Sequence, residues 1–227
     1  MSLHADALAL LEAWAAPVPH QEALREQYVA HLRAHRDGVY RHAAPDHVTA
    51  SAVVLDATGE HVLLTLHAKA GRWFQLGGHC EPGDTTLAGA ALRESAEESG
   101  VPVRRLAVDP APVQLSAHPV PFCRPPTLGP DDVVHHLDVR FLVVVDGAAT
   151  PVVSEESLDV RWWPVDTLPD PEPDLVEAVA FARARLTGGA GAQSSAGSSG
   201  ESSASSSNPS GSSGSSPGGG SNRPAAE

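Results

Sequence analysis

The sequence predicts an α+β fold: a mixed β-sheet sandwiched between helices, preceded by a helical N-terminal extension. Three observations carry that reading. Apolar runs of strand length recur between residues 47 and 163. Helical patterns occupy the first 45 residues, a stretch near 86–99 and another after a Pro-rich segment. These patterns lack the regular strand–helix repeat of a doubly wound sheet.

In chain order, Leu8, Leu10, Leu11 and Trp14 form an apolar cluster, Pro17 and Pro19 interrupt it, and Leu24, Tyr28 and Leu32 follow at helical spacing. Val48, Ala50 and the run from Ala52 to Leu55 read as a strand. Asp56 to Gly59 supplies a turn, and His61 to Leu66 reads as the returning strand of a hairpin. Trp73 to Leu76 is a short strand ending in Gly77-Gly78, and a helix follows from about Thr86 to Ser99, stopped by Gly100. Strands are expected at 104–119, at 133–145, where Val139, Phe141, Val143 and Val145 alternate, and at 158–163. A last helix is expected from Asp174 to Leu186. The expected units are 1–46 (helical extension), 47–168 (catalytic domain), 169–187 (a helix packing on that domain) and 188–227. That final stretch is almost wholly Ser, Gly, Ala and Pro. It offers no large apolar side chain to offset the entropy of ordering, so it is expected to be a disordered tail.

With 15 basic and 28 acidic residues, the net charge of −13 argues against a nucleic-acid polymer or an anionic membrane as partner. An anionic substrate then needs some other attraction, and a divalent cation is the obvious device. The two cysteines are too few for a disulfide framework. No apolar run approaches the ~20 residues of a membrane span, and the opening MSLHADALAL lacks a signal-peptide pattern. The expectation is a soluble, cytoplasmic protein. The N-terminal helices are left two roles, a homodimer surface or a cover for the sheet.

The chemistry concentrates in the helix 86–99. Glu94, Glu97 and Glu98 fall within about a third of its circumference, while Ala88, Leu92 and Ala96 occupy the opposite side. Like charges at this spacing destabilise a helix by roughly 0.2–0.5 kcal/mol per pair. Carboxylates in the last turn cost about 0.3–1 kcal/mol each against the helix dipole. A hard divalent cation reverses both penalties, since it needs oxygen ligands gathered in one place. Arg93 lies four before Glu97 and can hold a glutamate rotamer. Gly77 and Gly78 offer bare backbone, whose carbonyl can reach a metal or whose amide can reach a phosphate. Taken alone, three glutamates near a helix end also suit a solvated face.

The segment from Arg93 through Val101, Arg-Glu-Ser-Ala-Glu-Glu-Ser-Gly-Val, resembles the second half of the Nudix hydrolase signature at each charged and glycine position. Five such fixed positions coincide by chance on the order of once in a million starts. Gly78 through Asp84 resembles its first half. Three departures stand out: Asp84 replaces a glutamate, Ser95 replaces a hydrophobic residue, and eight residues rather than seven separate Asp84 from Arg93. The extra residue leaves a role for Asp84 open. Glu156 to Trp163 resembles a closing strand of such domains.

The resemblance implies a Nudix-like fold and hydrolysis of a nucleoside diphosphate linked to a further group, such as ADP-ribose or a nucleotide sugar, with Mg²⁺ or Mn²⁺. Carried over by position, Glu94, Glu97, Glu98 and the Gly77 carbonyl are metal ligands, and Gly77 and Gly78 form the backbone that meets the ligand. Arg93 orients a glutamate. The proton acceptor is Glu94, or Glu156 or Glu155 on a later loop. A non-catalytic nucleotide-sensing module on the same fold is the alternative, and an isoprenoid diphosphate isomerase a more distant one.

Other side chains also offer chemistry. His79 and Cys80, with His135, His136 and Asp138, are candidates for a zinc site or for rim-lining side chains. His31 and His35 suit a metal or a solvated helix face. Cys80 is a conceivable nucleophile without a visible partner, and Trp73, Phe74, Trp162 and Trp163 suit base stacking or core packing.

Overall fold

A computed structural model of the 227-residue chain describes all residues except Ala44, 124–127, 130–131, 155–156 and 196–227. Strand β1 (His47–Asp56) is the centre of the sheet. Its first half pairs antiparallel with β4 (Leu76–His79) and its last residues with β2 (His61–His67). Along its other edge it runs parallel to β6 (His135–Val145). Strand β2 also pairs with β3 (Arg72–Phe74) and β7 (Ser157–Pro164), and β5 (Leu106–Pro119) closes the far side against β6. The described residues thus form a seven-stranded mixed sheet with the spine β3-β2-β1-β6-β5.

The expected 104–119 strand holds Pro110 and Pro112, which cannot donate to a ladder, and its register breaks between Val108 and Gln114. Prolines are tolerated there because β5 is an edge strand. The expected strand 73–76 divides at Gln75 into β3 and β4, which pair with different neighbours.

Helix α3 (Leu87–Ser99) covers one face. Its start is fixed by Thr86, whose hydroxyl accepts from the Gly89 amide at 3.0 Å; such a cap is worth about 1 kcal/mol. Its end is fixed by Gly100 at φ 66°, whose amide bonds the Ala96 carbonyl. The deepest side chains of α3 are Leu87, Ala90, Ala91 and Ser95, with Leu92 and Ala96 only partly buried. The packed face is therefore rotated from the Ala88/Leu92/Ala96 line expected from the sequence. A serine can sit at this depth because Ser95 donates to the Ala91 carbonyl at 2.6 Å.

Helices α1 (Leu3–Ala13) and α2 (Pro19–Ala34) share the α3-side core: Leu3, Leu11, Tyr28 and Leu32 are buried in one cluster with Val48, Val139 and Leu87. Asp6 of α1 accepts from the Leu87 amide at 3.0 Å, an anion at the start of α3 where the helix dipole favours it. The Gln21 side chain exchanges hydrogen bonds with the Leu115 backbone. These helices cover the sheet, one of the two roles expected of them. On the other face α4 (Pro173–Ser195) packs Leu175, Ala178, Val179 and Ala182 against Val53, Leu55, Leu64 and Leu142. It runs nine residues past Leu186, its expected end, because extending a formed helix needs no new nucleus. The rest of the expected tail lies outside the described residues. No helix of the described residues is long and apolar enough to cross a membrane.

Candidate functional site

The close approach of α3 to β4 builds the site. Gly77 sits at φ 154°, and a Cβ there would fall 2.3–2.6 Å from Ser51 on β1, so the strand pair admits only glycine. A Cβ on Gly78 would fall 2.8–2.9 Å from the Glu94 carboxylate. The Gly77 amide donates to Glu98 Oε2 at 3.2 Å. Two of the three signature glutamates therefore rest directly on the Gly77-Gly78 backbone.

Arg93 organises the rest. Its Nε and Nη2 grip both oxygens of Asp84 at 3.2 and 3.1 Å, and Nη2 also meets the His79 carbonyl at 3.0 Å. Nη1 bonds Glu94 at 3.0 Å and Glu97 at 2.8 Å. Burial works against the guanidinium charge, but the bond to Asp84 and the charge of Glu94 outweigh it and hold the group more firmly protonated. The spacing of eight residues left the role of Asp84 open; its carboxylate, 8 % exposed, is the bidentate partner of Arg93. Glu97 is different from its neighbours. Its side chain is 58 % exposed and drawn toward Arg93, so the three glutamates do not converge equally. Glu156 and its alternative Glu155 lie outside the described residues.

Burial, followed by the nearby Asp84 carboxylate, pushes the Cys80 thiol up to about 12, which leaves it protonated and unsuited to nucleophilic attack. Of the aromatics, Trp73 and Trp163 meet edge to face at 5.3 Å with Arg161 over both rings, and Trp162 Nε1 donates to the Ala149 carbonyl. His31 faces the Gly38 carbonyl. Asp138 accepts hydrogen bonds from Thr49, Ser51 and Arg140.

A second cluster involves two residues that the sequence had not marked. His47, His79, Cys123 and His136 bring their ligand atoms within 4.8 Å of one another. Burial lowers His47 and His79 to about 4 and His136 to about 3, helped at His47 by His79, at His79 by Arg41, and at His136 by its two histidine neighbours. His79 and His136 belong to the set the sequence offered for zinc or for rim-lining side chains; Cys80, His135 and Asp138 do not join them. The available signal was a histidine at the head of each of two apolar strands.

A family model described as NUDIX domain matches residues 45–183. No curated protein sequence matches the chain. Among solved structures, the dihydroneopterin triphosphate pyrophosphohydrolase of E. coli is similar at 16% identity, with 61% of this chain and 95% of that chain covered and a TM-score of 0.50. A NUDIX-family hydrolase from Clostridium perfringens is similar at 19% identity, 62% and 96% coverage and TM-score 0.45. The NUDIX domain of Shewanella oneidensis NrtR, complexed with ADP ribose, is similar at 21% identity, 63% and 90% coverage and TM-score 0.46.

Proposed function

This chain belongs to the Nudix family, and on that premise we propose that it is a divalent-metal-dependent hydrolase that cleaves the diphosphate bond of a nucleoside diphosphate linked to another moiety, of the ADP-ribose or nucleotide-sugar kind. The observation that supports it most is the pair Glu94 and Glu98 resting on the bare backbone of Gly77-Gly78.

The donor set fits Mg²⁺ or Mn²⁺. It is all oxygen, carboxylates from Glu94 and Glu98 with the Gly77 carbonyl as a further donor, and hard cations prefer oxygen. Glu97 is the remaining candidate ligand, held back by Arg93. When bound, the ion screens the polyanionic substrate and acidifies a water.

The chain's own groups do the rest. Arg93, fixed by Asp84, holds the Glu94 carboxylate in one place, which removes a rotamer search at each turnover. Glu94 accepts the proton of the attacking water, with Glu156 as the alternative acceptor. Gly78 keeps the space before Glu94 free of side-chain atoms.

The test is a panel of nucleoside diphosphate derivatives incubated with purified protein and Mg²⁺ or Mn²⁺, with products identified by mass spectrometry. Expected is cleavage within the diphosphate bridge, sharply reduced in Glu98→Gln. Tight binding of a panel member without turnover would overturn hydrolysis in favour of a sensing role.

A further inference from the structure

We propose that His47, His79, Cys123 and His136 form a structural Zn²⁺ site, separate from the α3 carboxylates. The backbone register brings the imidazoles together. His47 of β1 lies opposite His136 of β6 in the parallel pair, and Thr49, two residues along the same face of β1, lies opposite His79 of β4. The three rings stand 4.9–5.2 Å apart between centroids. Cys123 arrives from the short 3₁₀ turn Pro121–Cys123 after β5. That turn is anchored by the Val120 amide on the Val134 carbonyl and the Cys123 amide on the Val120 carbonyl. Its sulfur lies 3.5 Å from His79 Nε2.

Two features point to a ligand rather than to packing. His47 is 1 % exposed, yet neither of its ring nitrogens has a hydrogen-bond partner among the described residues, and His136 Nε2 is likewise buried and unpartnered. Buried polar atoms are ordinarily satisfied, so orphans on two rings of one cluster mark a missing partner. The donor chemistry is also selective. Three imidazoles and one thiol suit tetrahedral zinc, and four protein ligands close the coordination sphere, as structural sites do. Ligand atoms of such a site lie roughly 3.5 Å apart, given bonds of ~2.0–2.3 Å. The set observed here, within 4.8 Å, needs only a small contraction. On binding, Cys123 gives its proton to solvent, and nothing is oxidised or reduced. The ion would tie the heads of β1 and β6 to the end of β4 and to the loop between β5 and β6.

The test uses the full chain, stripped with chelator, confirmed folded by circular dichroism, and titrated with Zn²⁺ and Co²⁺. Expected are one tightly held zinc per chain and a cobalt spectrum with tetrahedral d–d bands and a thiolate charge-transfer band. In Cys123→Ser, at a half-buried turn where refolding is not at issue, the charge-transfer band disappears. Zinc affinity there falls by about 100-fold or more, since loss of a group that merely orients a ligand already costs about 10–100-fold. In Glu98→Gln both are retained. The proposal is overturned if the folded protein takes up neither ion. It is equally overturned if uptake disappears in Glu98→Gln and survives unchanged in Cys123→Ser.

Discussion

The carboxylates of α3 and the imidazoles at the heads of β1 and β6 are joined through one short strand, β4, yet they handle charge in opposite ways. The α3 cluster is charged and closely partnered: Arg93 bonds Asp84, Glu94 and Glu97, and Glu98 takes the Gly77 amide. The histidine cluster is neutral, half-buried around a fully buried His47, and short of partners. Net negative charge with oxygen donors suits a hard ion, whereas neutral nitrogen and sulfur donors suit a softer one. On the proposed reading, two adjoining clusters of one fold would be tuned to different cations by residue type alone.

The sharpest way to separate the two is Glu98→Gln, which removes one charge from α3 and leaves the imidazoles alone. Turnover is expected to fall on the order of 10³-fold, the scale of losing one electrostatic group at a reacting centre, with an unchanged melting temperature. Steady-state kinetics and a thermal melt on the same preparation check both halves. Next in size is Gly77→Ala, which attacks the strand both sites lean on. The added Cβ meets Ser51 at 2.3–2.6 Å and the residue must hold φ 154°. A loss of about 2–4 kcal/mol is expected in denaturant unfolding; a loss under half of that would show β1 and β4 able to part.

The two clusters were also unequally legible in the sequence. The α3 site is local: Arg93 through Gly100 lie within little more than two helical turns, so spacing alone groups them. Asp84 was harder, because its contact with Arg93 depends on how the Glu81–Asp84 turn folds back, and there the Glu81 amide bonds the Asp84 carboxylate. The histidine cluster is assembled from four separate segments, 47, 79, 123 and 136, whose proximity is set by strand register that no single window reveals. The strand and helix pattern was largely readable because apolar periodicity is also local. What it missed were tertiary effects, the split at Gln75 and the rotation of the buried face of α3, while packing of α1 and α2 on the sheet was one of two roles left open for them.

Acid offers a gentler way to set the clusters against each other. In the metal-free protein His47, His79 and His136 titrate at about 4, 4 and 3, below their ordinary 6.5. The unfolded chain therefore binds protons first as pH falls. Their contribution to stability is complete above about pH 6.5 and is lost between there and pH 3–4. Arg41 and His118 oppose protonation of the cluster, while Asp46 and Asp138 favour it. Chemical unfolding at pH 7.5 and pH 5 should show the decline, and a flat profile would mean that water reaches the rings. The smallest effect is expected from Thr86→Ala, which costs about 1 kcal/mol through the lost cap and leaves both clusters intact.

The most direct measurement of the central claim is a Mn²⁺ titration followed by electron paramagnetic resonance on wild type, Glu98→Gln and Cys123→Ser. The account expects wild type and Cys123→Ser to hold Mn²⁺ alike and Glu98→Gln to leave it free in solution. Undiminished binding in Glu98→Gln would contradict the assignment of the α3 carboxylates as the cation site.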